Sequence, residues 1–102
     1  MPHRSVPSLS GKEALILDLL GRSTGMYGLE LVAASAGELK RGTVYVTLGR
    51  MEHKGLVSSR LDDTPPPFGG LPRRLYAATA IGREVHGAMS ALRKRLVPRV
   101  AR

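Results

Sequence analysis

The chain has 102 residues, 16 of them Lys or Arg and 8 Asp or Glu, so its formal net charge is +8. This length suits a single domain with one modest core. The excess of positive charge suits a polyanionic partner without indicating a fold. The absence of cysteine excludes disulfides and thiolate metal sites. With only three Tyr and one Phe, the chain is poorly suited to binding single-stranded nucleic acid by base stacking.

No apolar stretch approaches the roughly 20 residues of a membrane-spanning helix. The N-terminus also lacks the apolar segment of a signal peptide. We therefore expect a cytoplasmic protein with no membrane partner.

The first predicted helix follows a proline-containing stretch, residues 1–9, which we expect to be a flexible arm. Ser10 and Glu13 have the spacing of a capping box, and Gly21 suits the C-terminal cap. The helix between them is apolar on nearly all sides, so either its own domain or a second chain must cover it. We predict that Ile16 and Leu20 contribute to a dimer interface.

A short second helix is predicted from Met26 to Ser35, ending at Gly37. Its inner face is predicted to consist of Leu29, Val32 and Ala33. Its short distance from the next helix is typical of a helix-turn-helix. Tyr27 is interpreted as a packing residue, with a phosphate contact as the alternative.

Residues 40–55 are predicted to form a helix with two unlike faces. Val44, Leu48 and Met51 lie on one apolar stripe. The other side suits phosphates and base edges, and its Val46 can touch a thymine methyl group. No acidic residue occurs between positions 39 and 51. On this helix the predicted DNA contacts are Lys40, Arg41, Thr43, Tyr45, Thr47 and Arg50, although the pattern also fits an ordinary surface helix.

The segment after this helix alternates from Leu56 to Asp62 and resumes an extended pattern at Arg73. The Pro- and Gly-rich residues 63–72 between them cannot continue a strand. We therefore predict a two-stranded hairpin, or wing, with Arg73 and Arg74 placed over backbone phosphates. The alternative is a solvated hairpin with two surface arginines.

A final helix is predicted over residues 80–97, with Thr79 as its N-cap and a basic tail at 98–102. Its apolar stripe is longer than a small domain can cover, and such a stripe indicates an association site. Folding of the helix back onto its own domain is the alternative. The residues of this helix predicted to form the dimer are Val85, Met89, Leu92 and Leu96.

No arrangement of residues indicates catalysis or cofactor binding. The chain has no glycine-rich phosphate loop, and its three histidines are far apart without metal-ligand spacing. Asp62 and Asp63 occur at a turn, where carboxylates are usual. We expect neither an enzyme nor a cofactor.

Three stretches, residues 26–31, 42–57 and 70–83, together resemble the PadR family of bacterial transcriptional regulators. The resemblance implies a winged helix domain, a homodimer built with the C-terminal helix, and repression at palindromic promoter sites. Val46 stands where the family usually has proline, and Leu71 where it often has arginine. The single helix after the wing leaves in doubt the ligand pocket of longer members, and no small-molecule effector is indicated.

The sequence therefore predicts an α+β, mostly helical protein with a winged helix-turn-helix domain at residues 10–79. Three helices and a two-stranded wing precede a dimerisation helix, and double-stranded DNA is the expected partner. Two other functions remain open. One is a protein-interaction module with no direct DNA readout. The other is a basic amphipathic helix at residues 80–97 that binds anionic membranes.

Overall fold

The computed structural model describes residues 9–62 and 72–96, with only the backbone of Leu96. The predicted wing tip, the basic tail and residues 1–8 of the predicted arm lie outside the described residues. Within them the elements run in the order α1 (Gly11–Gly21), β1 (Met26–Tyr27), α2 (Gly28–Ala34), α3 (Val44–His53), β2 (Val57–Asp62), β3 (Arg73–Ala78) and α4 (Ala80–Leu96). The predicted α+β, mostly helical class is confirmed.

Helix α1 begins with the predicted capping box. The amide of Glu13 donates to Ser10 Oγ at 3.2 Å, and the amide of Ser10 donates to Glu13 Oε1 at 3.0 Å. Gly21 is the last residue of the helix and not its cap, a position that Arg22 occupies. The amide of Arg22 donates to the carbonyl of Leu19 at 3.2 Å, which ends the helix without a left-handed residue.

The prediction that Ile16 and Leu20 form a dimer interface is wrong. Both side chains are 0 % exposed within a single chain. Helix α1 contacts α2, α3, β3 and α4, so the domain itself covers the apolar surface that suggested a second chain. Leu9, assigned to the flexible arm, is half-buried and packs against this core.

The predicted second helix starts two residues late, because Met26 and Tyr27 form strand β1. These residues pair antiparallel with β3, Met26 opposite Tyr76 and Tyr27 opposite Leu75. The sheet thus has three strands in the order β1-β3-β2, where two were predicted. A strand of two residues shows no alternation in sequence, so only its partner reveals it.

The inner face of α2 also differs from the prediction. Leu31 is completely buried, whereas Leu29 is 45 % exposed and Ala33 is exposed. The buried Ser35 fixes the end of this helix, because its Oγ donates to the carbonyl of Val32 and accepts from the amide of Leu39. Leu39 enters the core through this turn, so Leu31 and Leu39 are the fully buried apolar contacts, and of the predicted residues only the half-buried Val32 packs against the core.

Helix α3 has the predicted apolar stripe, since Val44, Leu48 and Met51 are at most 1 % exposed. It begins at Val44, because residues 41–43 form a turn. At its other end Gly55 has a φ of +81°, and the amide of Leu56 donates to the carbonyl of Met51 at 2.9 Å. This is a Schellman ending, in which the left-handed glycine follows the last helical turn.

Helix α4 is fastened at its start to the turn that ends α3. Thr79 caps α4 by accepting from the amide of Gly82 at 2.9 Å, as predicted. The same hydroxyl donates to the carbonyl of Gly55 at 2.6 Å, and the Thr79 amide donates to the carbonyl of Leu56 at 3.1 Å. A Cβ on Gly82 would lie 2.0 Å from the Leu56 oxygen, so only glycine allows this approach.

We predict that Gly82→Ala lowers the free energy of unfolding by about 1–3 kcal/mol, because a methyl group would collide with rigid backbone. Urea unfolding followed by circular dichroism measures the change. Gly87→Ala is the matched control in the same helix, since its added methyl meets nothing within 4 Å. That control is expected to stabilise the protein by up to about 1 kcal/mol through helix propensity. Equal effects at both positions would contradict the proposed close contact.

Candidate nucleic-acid interface

The side of α3 opposite its buried stripe faces solvent. Val46, Gly49, Arg50 and His53 recur at spacings of three and four residues and are all exposed. With about 3.6 residues per turn, these positions lie across the helix from Leu48. The chain therefore presents one whole helix face, without a carboxylate, to solvent.

The turn before α3 adds cationic and polar groups to this face. Lys40, Arg41 and Thr43 are all exposed. Thr43 is the N-cap residue, but its side chain makes no capping hydrogen bond to the helix amides. The N-terminal end of a helix favours negative charge, and two cations stand beside it here. The arrangement suits an anionic group such as a backbone phosphate.

Tyr45 and Thr47 lie on the two flanks of α3. A Cβ on Gly28 would be 2.5 Å from Cε1 of Tyr45, so the tyrosine ring rests directly on the start of α2. The ring remains 48 % exposed. Thr47 is half-buried, and its hydroxyl donates to the carbonyl of Thr43 at 3.2 Å. Among the predicted contacts on the helix, Arg50 is therefore the exposed one that projects from the outward face.

Arg73 belongs to a cluster at the base of the wing. Its guanidinium carbon lies 3.9 Å from the centroid of the Tyr27 ring, which is cation–π geometry. The Tyr27 hydroxyl donates to Asp62, and this hydrogen bond raises the pKa of the tyrosine. Asp62 on β2 lies directly opposite Arg73 on β3 in the register of the two strands. This cluster agrees with the interpretation of Tyr27 as a packing residue. Through it, the Arg73 side chain is held at the base of the wing.

Arg74 is joined to the end of α3 through the sheet. Its Nη1 donates to Ser59 Oγ at 3.2 Å, and Ser59 donates to Glu52 Oε2 at 2.9 Å. Tyr76 lies nearby in the core. Burial raises its pKa, and the charge of Glu52 adds to the effect. This connection could not be predicted, because its partners become neighbours only through the register of β2 and β3.

A largely buried ion pair holds the C-terminal end of α3 against α1. Lys54 Nζ lies 2.9 Å from Glu13 Oε2, and the carboxylate side chain is only 6 % exposed. Burial alone would raise the pKa of Glu13. Its hydrogen bonds from the Ser10 amide and from Lys54, together with the positive charges of Lys54 and Arg50, outweigh burial, so the pKa lies below its usual value. Glu13 thus caps one helix while it anchors another.

A groove of about 640 Å³ separates α1 from α4 on the other side of the domain. Leu15 and Met89 are half-buried in its wall, and Leu92 is 50 % exposed there. Asp18 and His86 are its polar pair, with 3.8 Å between Oδ1 and Nε2. Of the residues predicted to form a dimer, Met89 and Leu92 line this groove, whereas Val85 packs against the core.

The profile of the transcriptional regulator PadR-like family matches residues 16–88, which include α2, α3, the described part of the wing and the first half of α4. The chain belongs to the PadR-like family. This PadR-like chain is therefore a transcriptional regulator with a winged helix fold. The match extends over more than two thirds of the sequence.

Crystal structures of PadR-like regulators have the same fold. A PadR family regulator from Clostridium difficile is 26 % identical, with a TM-score of 0.74 over 85 % of this chain and 91 % of the other. A PadR-like factor from Bacteroides fragilis is 25 % identical, with a TM-score of 0.69 over 82 % and 81 %. A PadR family regulator from Eggerthella lenta is 28 % identical, with a TM-score of 0.67 over 82 % and 72 %. No curated protein matched the sequence.

The described part of this PadR-like chain contains no helix long and apolar enough to cross a membrane. Over the same residues, no three His, Asp or Glu side chains come together in a way that would hold a metal ion.

We predict that Glu13→Gln weakens the protein at neutral pH and flattens the dependence of its stability on acid. A lowered pKa in the fold means that the carboxylate adds stability above its unfolded pKa, about 4.5, and loses it as pH falls through the folded value. Lys54 is partly exposed, so screening limits the effect to about 1 kcal/mol. Urea unfolding between pH 3 and 7 tests this, with the exposed Glu38→Gln as control. Parallel curves for wild type and Glu13→Gln would contradict the prediction.

Proposed function

We propose that this PadR-like regulator binds double-stranded DNA as a homodimer and represses transcription at palindromic operator sites. The observation that carries the proposal is the outward face of α3, which is exposed, cationic and without a carboxylate. A protein acting on chromosomal DNA would work in the cytoplasm. We propose no catalytic role, no cofactor and no specific small-molecule effector.

The charges around α3 suit the major groove of a duplex and the phosphates beside it. Helix α3 would lie in the major groove, where Arg50 projects towards base edges or the adjoining phosphates. Lys40 and Arg41 would bind the backbone at the helix N-terminus, beside Thr43. On the wing, the fixed guanidinium groups of Arg73 and Arg74 would meet the neighbouring phosphates. Tyr45 would contact the backbone from the flank of the helix, and Thr47 would support the groove side.

The groove between α1 and α4 supports the homodimer. Leu92 and Ile81 are at least 50 % exposed on α4, and single chains rarely leave such apolar positions along one long helix. A second copy packed along α4 would cover the groove through Met89 and Leu92, and Leu96 would extend the contact. A twofold dimer would place its two α3 helices about 34 Å apart, one turn of duplex.

We predict that the affinity for a selected DNA duplex falls steeply as salt increases, because bound phosphates release counterions. Arg50→Ala should weaken binding by about 1–3 kcal/mol at one position of the site if the arginine reads a base. If it contacts only phosphate, all sequences should weaken alike. Fluorescence anisotropy at several salt concentrations, on duplexes recovered from a random pool, measures both effects.

Arg22→Ala is the charge-matched control for this experiment. Arg22 lies at the end of α1, where its guanidinium binds Asp18 at 2.7 Å. Its loss should change DNA affinity far less than the loss of Arg50. Affinity that is independent of salt would rule out the DNA-binding proposal. In that case a stable complex with another protein would support the alternative, a protein-interaction module.

We predict that Leu92→Arg converts the dimer into a folded monomer, because a charge at this half-exposed position would be buried without a partner. Sedimentation at micromolar concentration should give twice the chain mass for wild type and the single chain mass for the variant. Leu61→Arg is the control, since Leu61 is 54 % exposed on β2, away from the α1–α4 groove. A monomeric wild-type protein would contradict the homodimer.

A further inference from the structure

Val46 is an apolar side chain on the face of α3 that we assign to DNA. It is 55 % exposed, the largest exposed fraction among the large apolar side chains of the described residues. It occupies the first turn of the helix, which begins at Val44. Residues near the start of a recognition helix are those that reach base edges in the major groove. Val46 is therefore placed for base contact and adds little to the core of its own domain.

Gly49 follows Val46 by three residues on the same outward line. Glycine within a helix costs about 1 kcal/mol relative to alanine, so it usually has a packing reason. Here a Cβ on Gly49 would meet nothing within 4 Å, so no neighbour in the protein requires the glycine. At Gly28 and Gly82, in contrast, another part of the chain already occupies the space that a Cβ would need. The open space beside Gly49 suits a partner that comes close to the helix backbone.

The two polar residues on either side of Val46 in the sequence have other directions or partners. The ring of Tyr45 rests on Gly28, and the hydroxyl of Thr47 donates within the helix. The middle of the outward face is thus an apolar side chain beside a bare stretch of backbone. In the major groove, the 5-methyl group of thymine is the apolar feature that distinguishes one base pair from the others.

We propose that Val46 contacts the 5-methyl group of one thymine in each half-site, and that Gly49 lets α3 approach the bases closely enough for that contact. The inference rests on the proposed DNA-binding function and adds a base preference to it. Valine has a single strongly preferred rotamer in a helix, so little entropy is lost when it is held against a methyl group. The contact contributes specificity, and the surrounding arginines and lysine supply most of the affinity.

Uracil substitution tests the contact, because uracil lacks only the 5-methyl group of thymine. Each thymine of a selected duplex is replaced singly by uracil, and affinities are measured for wild type and Val46→Ala. We expect one thymine per half-site whose replacement weakens wild-type binding by about fourfold, the worth of one buried methyl group. Val46→Ala should bind the thymine duplex and the uracil duplex equally at this position. Val46→Ile should still bind the uracil duplex more weakly than the thymine duplex. Cytosine at this position should bind more tightly when it is 5-methylated.

Gly49→Ala tests the close approach separately. The variant should unfold at higher urea concentration than wild type, because alanine favours the helix and the site is open. Its DNA affinity should nevertheless fall, by tenfold or more if the added methyl keeps α3 out of the groove. Gly87→Ala is the matched control, since it also fills open space but lies in α4. That variant should keep wild-type DNA affinity.

The outcomes separate this inference from the function on which it rests. If each thymine-to-uracil replacement weakens binding equally for Val46→Ala and for wild type, the proposed methyl contact is wrong, while the DNA-binding function still holds. If Gly49→Ala binds as tightly as Gly87→Ala, the close approach is wrong. If wild type binds no duplex at low salt, both the function and the inference are overturned.

Discussion

The turn at Gly55 and Leu56 is the constraint on which the rest of the structure depends. It ends α3 with a left-handed glycine and sends the chain directly into β2. The backbone oxygens of the same two residues accept hydrogen bonds from Thr79. Gly82 packs against the second of these oxygens. Helix α3, strand β2 and helix α4 therefore meet at one short segment, where two hydrogen bonds from Thr79 and the close contact of Gly82 fix the start of α4 against the end of α3.

Much of this fold could be predicted because it depends on residues that are close in sequence. The capping box of α1, the stripe of α3 and the start of β3 follow from spacing alone, and Ser10, Leu48 and Arg73 lie where they were predicted. The failures depend on distant partners. Strand β1 exists only because β3 lies beside it, and Ile16 is buried only because other elements surround α1. Apolar pattern indicates that a surface is covered, but it does not indicate by what.

The candidate interface shows the same division between local and distant information. Exposure of Lys40, Arg41 and Arg50 follows from local composition and from the face that α3 buries. The contacts of Arg73 with Tyr27, and of Arg74 with Ser59, require the register of the sheet and could not be predicted from the sequence. These contacts restrict both side chains before any ligand arrives. In the proposed DNA complex, a wing of this kind would lose less conformational entropy on binding, which would favour a definite orientation on the duplex.

Three acidic residues near this surface are held by groups of the protein itself. Glu52 accepts from Ser59, Glu30 accepts from the Tyr27 amide at 2.8 Å, and Glu13 binds Lys54. Each carboxylate thus fixes an element next to α3 and stays off its outward face. In the proposed complex, the cations would supply the long-range attraction to phosphates, and they would attract any duplex alike. Discrimination between duplexes would then come from short-range contacts on the outward face, where Val46 and Gly49 lie beside Arg50. An apolar position there would cost little affinity and would give the helix a preference that charge alone cannot supply.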